Sequence, residues 1–320
     1  MAYNQELWVR QTMDSLLAQQ CSYPFEIVIG DDASTDNTRL ILEEYQQKHP
    51  ELIRLLPKEP NKGVLDNYAR VVKACTGKYI AFCHCDDYWH DSLKLQKQAD
   101  ILENSPGYGL VHTDANFYME NSQSTLYSYH GKTHPNMPEG ALFEDLLLGR
   151  FSIITSTAMY SKDAMEKYVD FDEFRKAGFL YEDLPTWLAL ANHVKFKFLK
   201  DSTCTYRVIE NSHSHPKNVA RRFVLLDGHY RMKKHFINKF NVNRDTVRKF
   251  ELQFNQTKFN LAYKWGNYTA AKEACAALKS EKAMSARLRV KMLFLQLPFL
   301  SKTLKNIKKL YLPKTSVSRL

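Results

Sequence analysis

Four aspartates stand in two adjacent pairs, each at the end of a short apolar run. Asp31-Asp32 follow Phe25-Glu26-Ile27-Val28-Ile29-Gly30, and Asp86-Asp87 follow soon after Lys78-Tyr79-Ile80-Ala81-Phe82-Cys83. Like charges a few ångströms apart repel, so two such pairs at one edge of a sheet call for a positive charge between them. A divalent cation meets that need, and oxygen ligands suit Mg²⁺ or Mn²⁺. A cation held there can offset negative charge on a bound ligand. Tyr88-Trp89 come next, and aromatic faces can wall a ligand site. A third acidic pair, Glu182-Asp183, lies in the mostly apolar run from Phe179 to Leu190. A carboxylate in that setting has a raised pKa suited to taking a proton from a hydroxyl. Each pair also has a plainer reading. The first two fit strand-end turns with helix caps. The third fits a helix N-terminus, where acids favour the macrodipole and Pro185 suits the first turn. Cys83-His84-Cys85 invites zinc, but a closed zinc site takes about four ligands, and no second cluster has suitable spacing.

The elements that must position these residues alternate. Helical stripes are predicted over Glu6 to Gln20, Thr38 to Lys48, Val64 to Cys75 and Asp91 to Asn104. Between them fall the two apolar runs, Ile53 to Leu56 and Leu110-Val111-His112, which read as strands. This alternation predicts an α/β domain, a mostly parallel sheet flanked by helices. Ligands of such sheets bind beyond the carboxyl ends of the strands, where both aspartate pairs stand.

The 320 residues hold 45 Lys and Arg against 35 Asp and Glu, but the charge is divided. From Lys217 to Leu320 there are 24 basic and 5 acidic residues; before that there are 21 and 30. An acidic body carries a basic tail, predicted as helices over Val219 to Lys239, Asp245 to Trp265 and Thr269 to Leu278. That polarity favours a catalytic body with an anionic surface partner at the tail over a nucleic-acid enzyme, whose basic residues would gather round its cleft. Arg287 to Lys309 interleaves basic residues with Leu, Phe and Met, a membrane-surface pattern. Its longest uncharged run, Met292 to Ser301, is far shorter than the ~20 residues of a spanning helix. Six cysteines with no CxxC spacing and no signal peptide at the start point to a reducing compartment.

The segment Glu26 to Thr38 resembles the first nucleotide-binding motif of family 2 glycosyltransferases with the GT-A fold. Asn61-Lys62-Gly63, Ala74 to Ile80 and Asp86-Asp87-Tyr88-Trp89 continue the pattern in order. Tyr181-Glu182-Asp183 with Trp187-Leu188 resembles the acceptor-side motif, and Tyr206-Arg207-Val208 with Glu210-Asn211-Ser212 resembles the segment that closes the domain. The resemblance covers about Tyr3 to His215. Members of that family usually open with a strand ending Pro-Thr-Tyr-Asn, of which Met1-Ala2-Tyr3-Asn4 supplies the end, so the first strand is expected to be missing. His84 stands where an acid is usual, Ala189 where an Arg often is, and Ile209 where a His often is.

The resemblance implies an inverting transfer of a sugar from a nucleoside-diphosphate donor, UDP-linked by expectation, to a hydroxyl of a cell-surface saccharide or lipid-linked acceptor. Asp183 is the expected base, with Glu182 as the alternative or as a partner to the acceptor. Tyr3, Asp31, Asp32, Asn61, Asp86, Asp87 and Arg207 are the expected donor contacts. Asp86, Asp87 and His213 are the expected holders of Mg²⁺ or Mn²⁺. Residues 1–215 form the expected N-terminally truncated GT-A domain and 216–320 a basic helical region. The place expected for such a protein is cytoplasmic, peripheral at the inner face of the plasma membrane, with no nucleic-acid partner. The rival functions are a sugar-phosphate nucleotidyltransferase, which would need a Gly-rich phosphate loop that is not visible, and a nucleic-acid-binding protein using the tail.

Overall fold

The computed structural model describes residues 1–210, 212, 217–280, 289 and 291. His213, His215 and the stretch 287–309, apart from Arg289 and Lys291, lie outside the described residues. The chain divides into two compact units, Met1–Val242 and Asn243–Leu320.

In the first unit α1 (Val9–Leu17) precedes β1 (Ile27–Ile29), α2 (Thr38–Lys48), β2 (Ile53–Leu55) and α3 (Val64–Ala74). β3 (Tyr79–Ala81), β4 (Tyr88–Trp89) and α4 (Lys94–Asn104) follow, then the long β5 (Tyr108–Met119) and its hairpin partner β6 (Ser124–Leu126). Short helices α5 (Tyr129–Thr133) and α6 (Phe143–Leu147) lead to β7 (Met159–Ser161). Then come α7 (Lys162–Tyr168), α8 (Phe171–Lys176), α9 (Asp183–Ala191), β8 (Lys195–Val208) and α10 (Val219–Lys239). β1 and β2 pair in parallel as a two-stranded sheet. The larger sheet runs β3-β7-β5-β8-β4, with β6 on β5.

The pairing is more mixed than the alternation predicts. β1–β2 and β5–β8 are parallel, whereas β3–β7, β5–β7, β4–β8 and β5–β6 are antiparallel. Two of the antiparallel pairings come from β7, which returns from α6 and inserts between β3 and β5, where a two-period pattern of only three residues is not visible in the sequence. Apolar side chains fill both faces: Val111, Ala115, Cys204 and Met159 join Leu95, Ala99 and Leu102 of α4 in one buried cluster. Gly30 ends β1 where α3 crosses it, and a Cβ there would lie 2.5 Å from Asn67 Oδ1 and from a Val71 methyl.

The first unit runs past Pro216, the boundary expected from charge, and takes in α10. Phe236 of α10 is buried against the rings of Phe174 and Phe179, and Glu173 accepts hydrogen bonds from His235 and Lys239. The charge count saw the lysines of α10 but not its apolar face. In the second unit α11 (Arg244–Trp265) turns at Gly266, in the left-handed region, into α12 (Tyr268–Ser280). Phe259, Ala262, Ala271, Ala274 and Leu278 are buried, and Lys258 pairs with Glu273 across the two helices. Among the described residues no helix is long and apolar enough to cross a membrane.

Candidate active site

Both aspartate pairs reach one edge, on either side of the dipeptide Met1-Ala2. The amide of Asp32 donates to the Ala2 carbonyl at 3.0 Å, and the amide of Cys85 donates to the Met1 carbonyl at 3.0 Å. The strand ends deliver the acids there because β1 and β3 both stop at that edge.

The first pair is engaged with its own loop. The buried Asp31 carboxylate accepts from the amide and hydroxyl of Ser34. Asp32 accepts from the amides of Lys62 and Gly63, each at 2.9 Å, and so ties the segment before α3 to the end of β1. Asn61 is turned to the same job, its amide donating to the Asp32 carbonyl at 2.8 Å. Gly63 has φ +87°, which suits glycine, at the N-cap of α3. Arg70 donates to the Asp31 carbonyl at 2.7 Å. Tyr3 is half exposed, and the next residue, Asn4, is stitched to the facing loop through Ser34 and Thr35. These residues therefore build a rigid wall in addition to any ligand contact they make.

The second pair splits. Asp87 is buried, and both its oxygens are taken: Ser156 donates to one, and the amide of Arg207 donates to the other at 2.9 Å. Burial and the neighbouring Asp86 charge push its pKa up to about 7. Asp86 is half-buried, and no hydrogen-bond donor among the described residues meets its carboxylate. Of the two, Asp86 is the acid whose carboxylate has no donor among the described residues, whereas both oxygens of Asp87 are held by the protein. Arg207 is likewise committed to the protein. Its guanidinium donates to the Asp86 carbonyl at 2.9 Å, to Glu120 and to Gln11, and it lies within 6.0 Å of the Trp8, Tyr88 and Tyr118 ring centres. It braces the Asp86 turn from behind instead of reaching into the cleft.

The third pair opens α9. Asp183 is the first residue of the helix, and its carboxylate accepts from the Leu184 amide at 2.6 Å. Burial and the charge of Glu182 raise its pKa to about 6. Glu182 is buried, with one oxygen 3.4 Å from His84 Nε2. Burial opposes the charge on His84, but the hydrogen bond and charge of Glu182, with Asp86, carry its pKa above the ordinary imidazole value. His84 thus joins the donor-side turn to the acceptor-side helix. Sequence reasoning noted His84 as a departure from the family pattern and as part of a rejected zinc reading; its pairing with Glu182, 98 positions away in the chain, had no local signal.

No group of three or more His, Cys, Asp or Glu side chains among the described residues could hold a metal ion alone. A donor set limited to Asp86 still fits Mg²⁺ or Mn²⁺, because these ions commonly take one or two carboxylates and complete their shell with substrate phosphates. It does not fit zinc, and Cys83 and Cys85 stay in the thiol form because burial raises both.

Among known proteins, the chain is 43% identical over 106 residues to an uncharacterised protein of Mycobacterium tuberculosis, covering 33% of this chain and 31% of the relative. The chain thus spans about a third of the length of that relative. It is 28% identical over 224 residues to the putative teichuronic acid biosynthesis glycosyltransferase TuaG of Bacillus subtilis, covering 68% of this chain and 80% of the relative. Its fold is similar to that of a mannosyltransferase from Pyrobaculum calidifontis solved with GDP-mannose and Mn²⁺. The TM-score there is 0.53 at 16% identity, over 97% of this chain and 85% of the other. The fold is therefore that of the GT-A enzymes. The model of glycosyl transferase family 2 matches residues 1–169, and with the geometry above this places the chain in that family.

Proposed function

We propose that the protein is an inverting glycosyltransferase that moves a sugar from a nucleoside-diphosphate donor, UDP-linked in the first instance, to a hydroxyl of a cell-envelope saccharide or lipid-linked acceptor. The observation that carries this reading is the placing of Asp86, with its unengaged carboxylate, and the Glu182–Asp183 pair on either side of His84. Asp183 takes the acceptor proton as the acceptor oxygen bonds to the anomeric carbon from the face opposite the diphosphate. The bond from that carbon to the diphosphate oxygen breaks, and the nucleoside diphosphate leaves with the electron pair. Asp86 would hold a divalent cation, which when bound neutralises charge on the diphosphate. Family membership and the Mn²⁺ and GDP-mannose of the structural neighbour support the donor class. The name of the Bacillus relative supports an envelope polysaccharide as acceptor.

The test is donor hydrolysis by the whole chain with UDP-, GDP- and dTDP-sugars, with and without Mn²⁺. Release of nucleoside diphosphate from one donor, raised by Mn²⁺ and raised again by acceptor, is the expected result. No turnover of any donor would sink the reading.

We further propose that the protein sits at the inner face of the plasma membrane through its basic C-terminal residues, since the acidic body would be repelled by anionic lipid. Deleting residues 287–320 should release it from anionic vesicles, and high salt should weaken binding of the intact chain. A tailless chain that still co-sediments would overturn this.

A further inference from the structure

We propose that Lys94, buried behind the turn that carries Asp86, is a positioning residue for that turn. By orienting Gln98 and Trp89 it sets the 3₁₀ turn Thr155–Thr157, whose Ser156 hydroxyl holds both ends of the segment from His84 to Asp87. The consequence for catalysis rests on the transferase reading above, in which Asp86 holds the cation; the chain of contacts stands apart from it.

Lys94 is the first residue of α4 and is fully buried. Lysine is almost never buried without an acid partner, because taking water from a charge is costly. Among the described residues no carboxylate pairs with Lys94. Burial pulls its pKa down to about 8, so the group remains charged at neutral pH. What meets the charge is Gln98 Oε1, at 2.5 Å, and the face of Trp89, whose ring centre lies 4.3 Å away. A methionine would fill similar space without a charge to desolvate, so packing alone does not call for a lysine here. What the ammonium adds is orientation.

An ammonium donates and cannot accept, so it draws the amide oxygen of Gln98 toward itself and turns the amide nitrogen away. That nitrogen donates to the Thr157 carbonyl at 2.8 Å and to the Val111 carbonyl at 2.9 Å. The indole that lies against Lys94 sends its N–H to the Ser156 carbonyl at 2.9 Å. Two consecutive carbonyls of the Thr155–Thr157 turn are therefore fixed by the two side chains that Lys94 orients.

The Ser156 hydroxyl carries that placement forward. It donates to the Asp87 carboxylate and accepts from the His84 amide at 3.3 Å. One hydroxyl thus clasps the segment at both ends, with Asp86 between them. Asp86 has no donor of its own to hold its carboxylate, so its aim follows the backbone that Ser156 clasps. Partners of this outer kind commonly set metal affinity by 10–100-fold.

The experiment makes Lys94→Met, Ser156→Ala and the double variant in the whole chain. Lys94→Met should melt within ~3 °C of the parent or above it, since an apolar side chain in place of a buried charge is commonly neutral or stabilising. It should nonetheless speed amide exchange at His84 about tenfold, with exchange at Ile53 of β2 unchanged. Calorimetry in Mn²⁺ with UDP, GDP and dTDP should show about tenfold weaker binding of whichever nucleotide the parent binds. In the Ser156→Ala background the Lys94 change should add no further loss, because the path is already cut. The proposal fails if Lys94→Met exchanges at His84 like the parent, or if the two losses add. It also fails if affinity falls only as the melting temperature falls, the mark of a residue that serves the core alone. Lys94→Leu serves if Lys94→Met does not fold, and failure of both to fold ends the proposal. A parent that turns over no nucleotide sugar sinks the transferase reading alone; exchange at His84 still decides this one.

Discussion

Asp183→Asn should abolish sugar transfer, with a rate loss on the order of 10²–10⁴, while donor binding stays near that of the parent. The amide keeps the size of the side chain and can still accept from the Leu184 amide, so the first turn of α9 is retained. What it loses is basicity. As the proposed base Asp183 would work as the carboxylate, and its pKa, raised to about 6, should place an acid limb on the pH profile: kcat/KM should fall about tenfold per unit below that pH. The Asn variant should show no such limb in its residual activity. Glu182→Gln should cost less. It removes a charge that repels ionisation of Asp183, so the limb should move to lower pH. Steady-state rates across pH for both variants check this. If Glu182→Gln silences the enzyme and Asp183→Asn does not, the base is one residue earlier; if neither matters, the pair only opens a helix.

Asp86→Ala should remove Mn²⁺-dependent donor binding, a loss of ~10² or more in affinity, with the fold intact. The reason for expecting an intact fold is specific. Arg207 grips the carbonyl of Asp86, which alanine keeps, and the buried acid of the turn is Asp87. Removing Asp86 also relieves the repulsion that raises Asp87. Asp87→Ala should instead lower the melting temperature, because it strips partners from Ser156 and from the Arg207 amide. Calorimetry of nucleotide-sugar binding with and without Mn²⁺ decides the matter, and unchanged affinity in Asp86→Ala would refute the assignment.

These two assignments rest on side chains whose positions the sequence marked, but it did not distinguish their roles. The two aspartate pairs were legible because each follows an apolar run that reads as a buried strand, and the third pair because it stands within the apolar run that becomes α9. Helix α2 was legible to the residue from its capping residues, and α10 from the fading of strand signals and its wealth of Lys and Arg. What hid from sequence was whatever depends on a distant partner. Asp87 looked as available as Asp86 until Ser156 and Arg207 closed on it. β7 is three residues long and carries no alternation that could be read. β5 was visible as Leu110 to His112, yet it extends to Met119 because β8 pairs along its whole length and draws polar residues such as Asp114 and Asn116 into the ladder. Arg207 was read as a ligand contact because Tyr206-Arg207-Val208 resembles the segment that closes the family's domain; the three rings and two side-chain acceptors around it come from three separate segments.

The brace behind the Asp86 turn also fixes when the site can form. Arg207 bonds Asp87 across 120 residues and Gln11 across 196, and the ladder that delivers Arg207 joins Tyr108 to Lys195 at its start. Loop closure over such separations must precede any reward from the contacts, so this topology folds slowly for its size. On the ribosome, α2, β1 and β2 can settle as soon as they emerge, since their contacts are local. The donor-side turn has no such option. Its sequence is synthesised early, yet its backbone has no brace until β8 has been made and zipped onto β5. The chain therefore completes the proposed donor site in the final stage of folding, and a nascent chain stalled before Val208 would hold every acid of the donor side without yet holding that site.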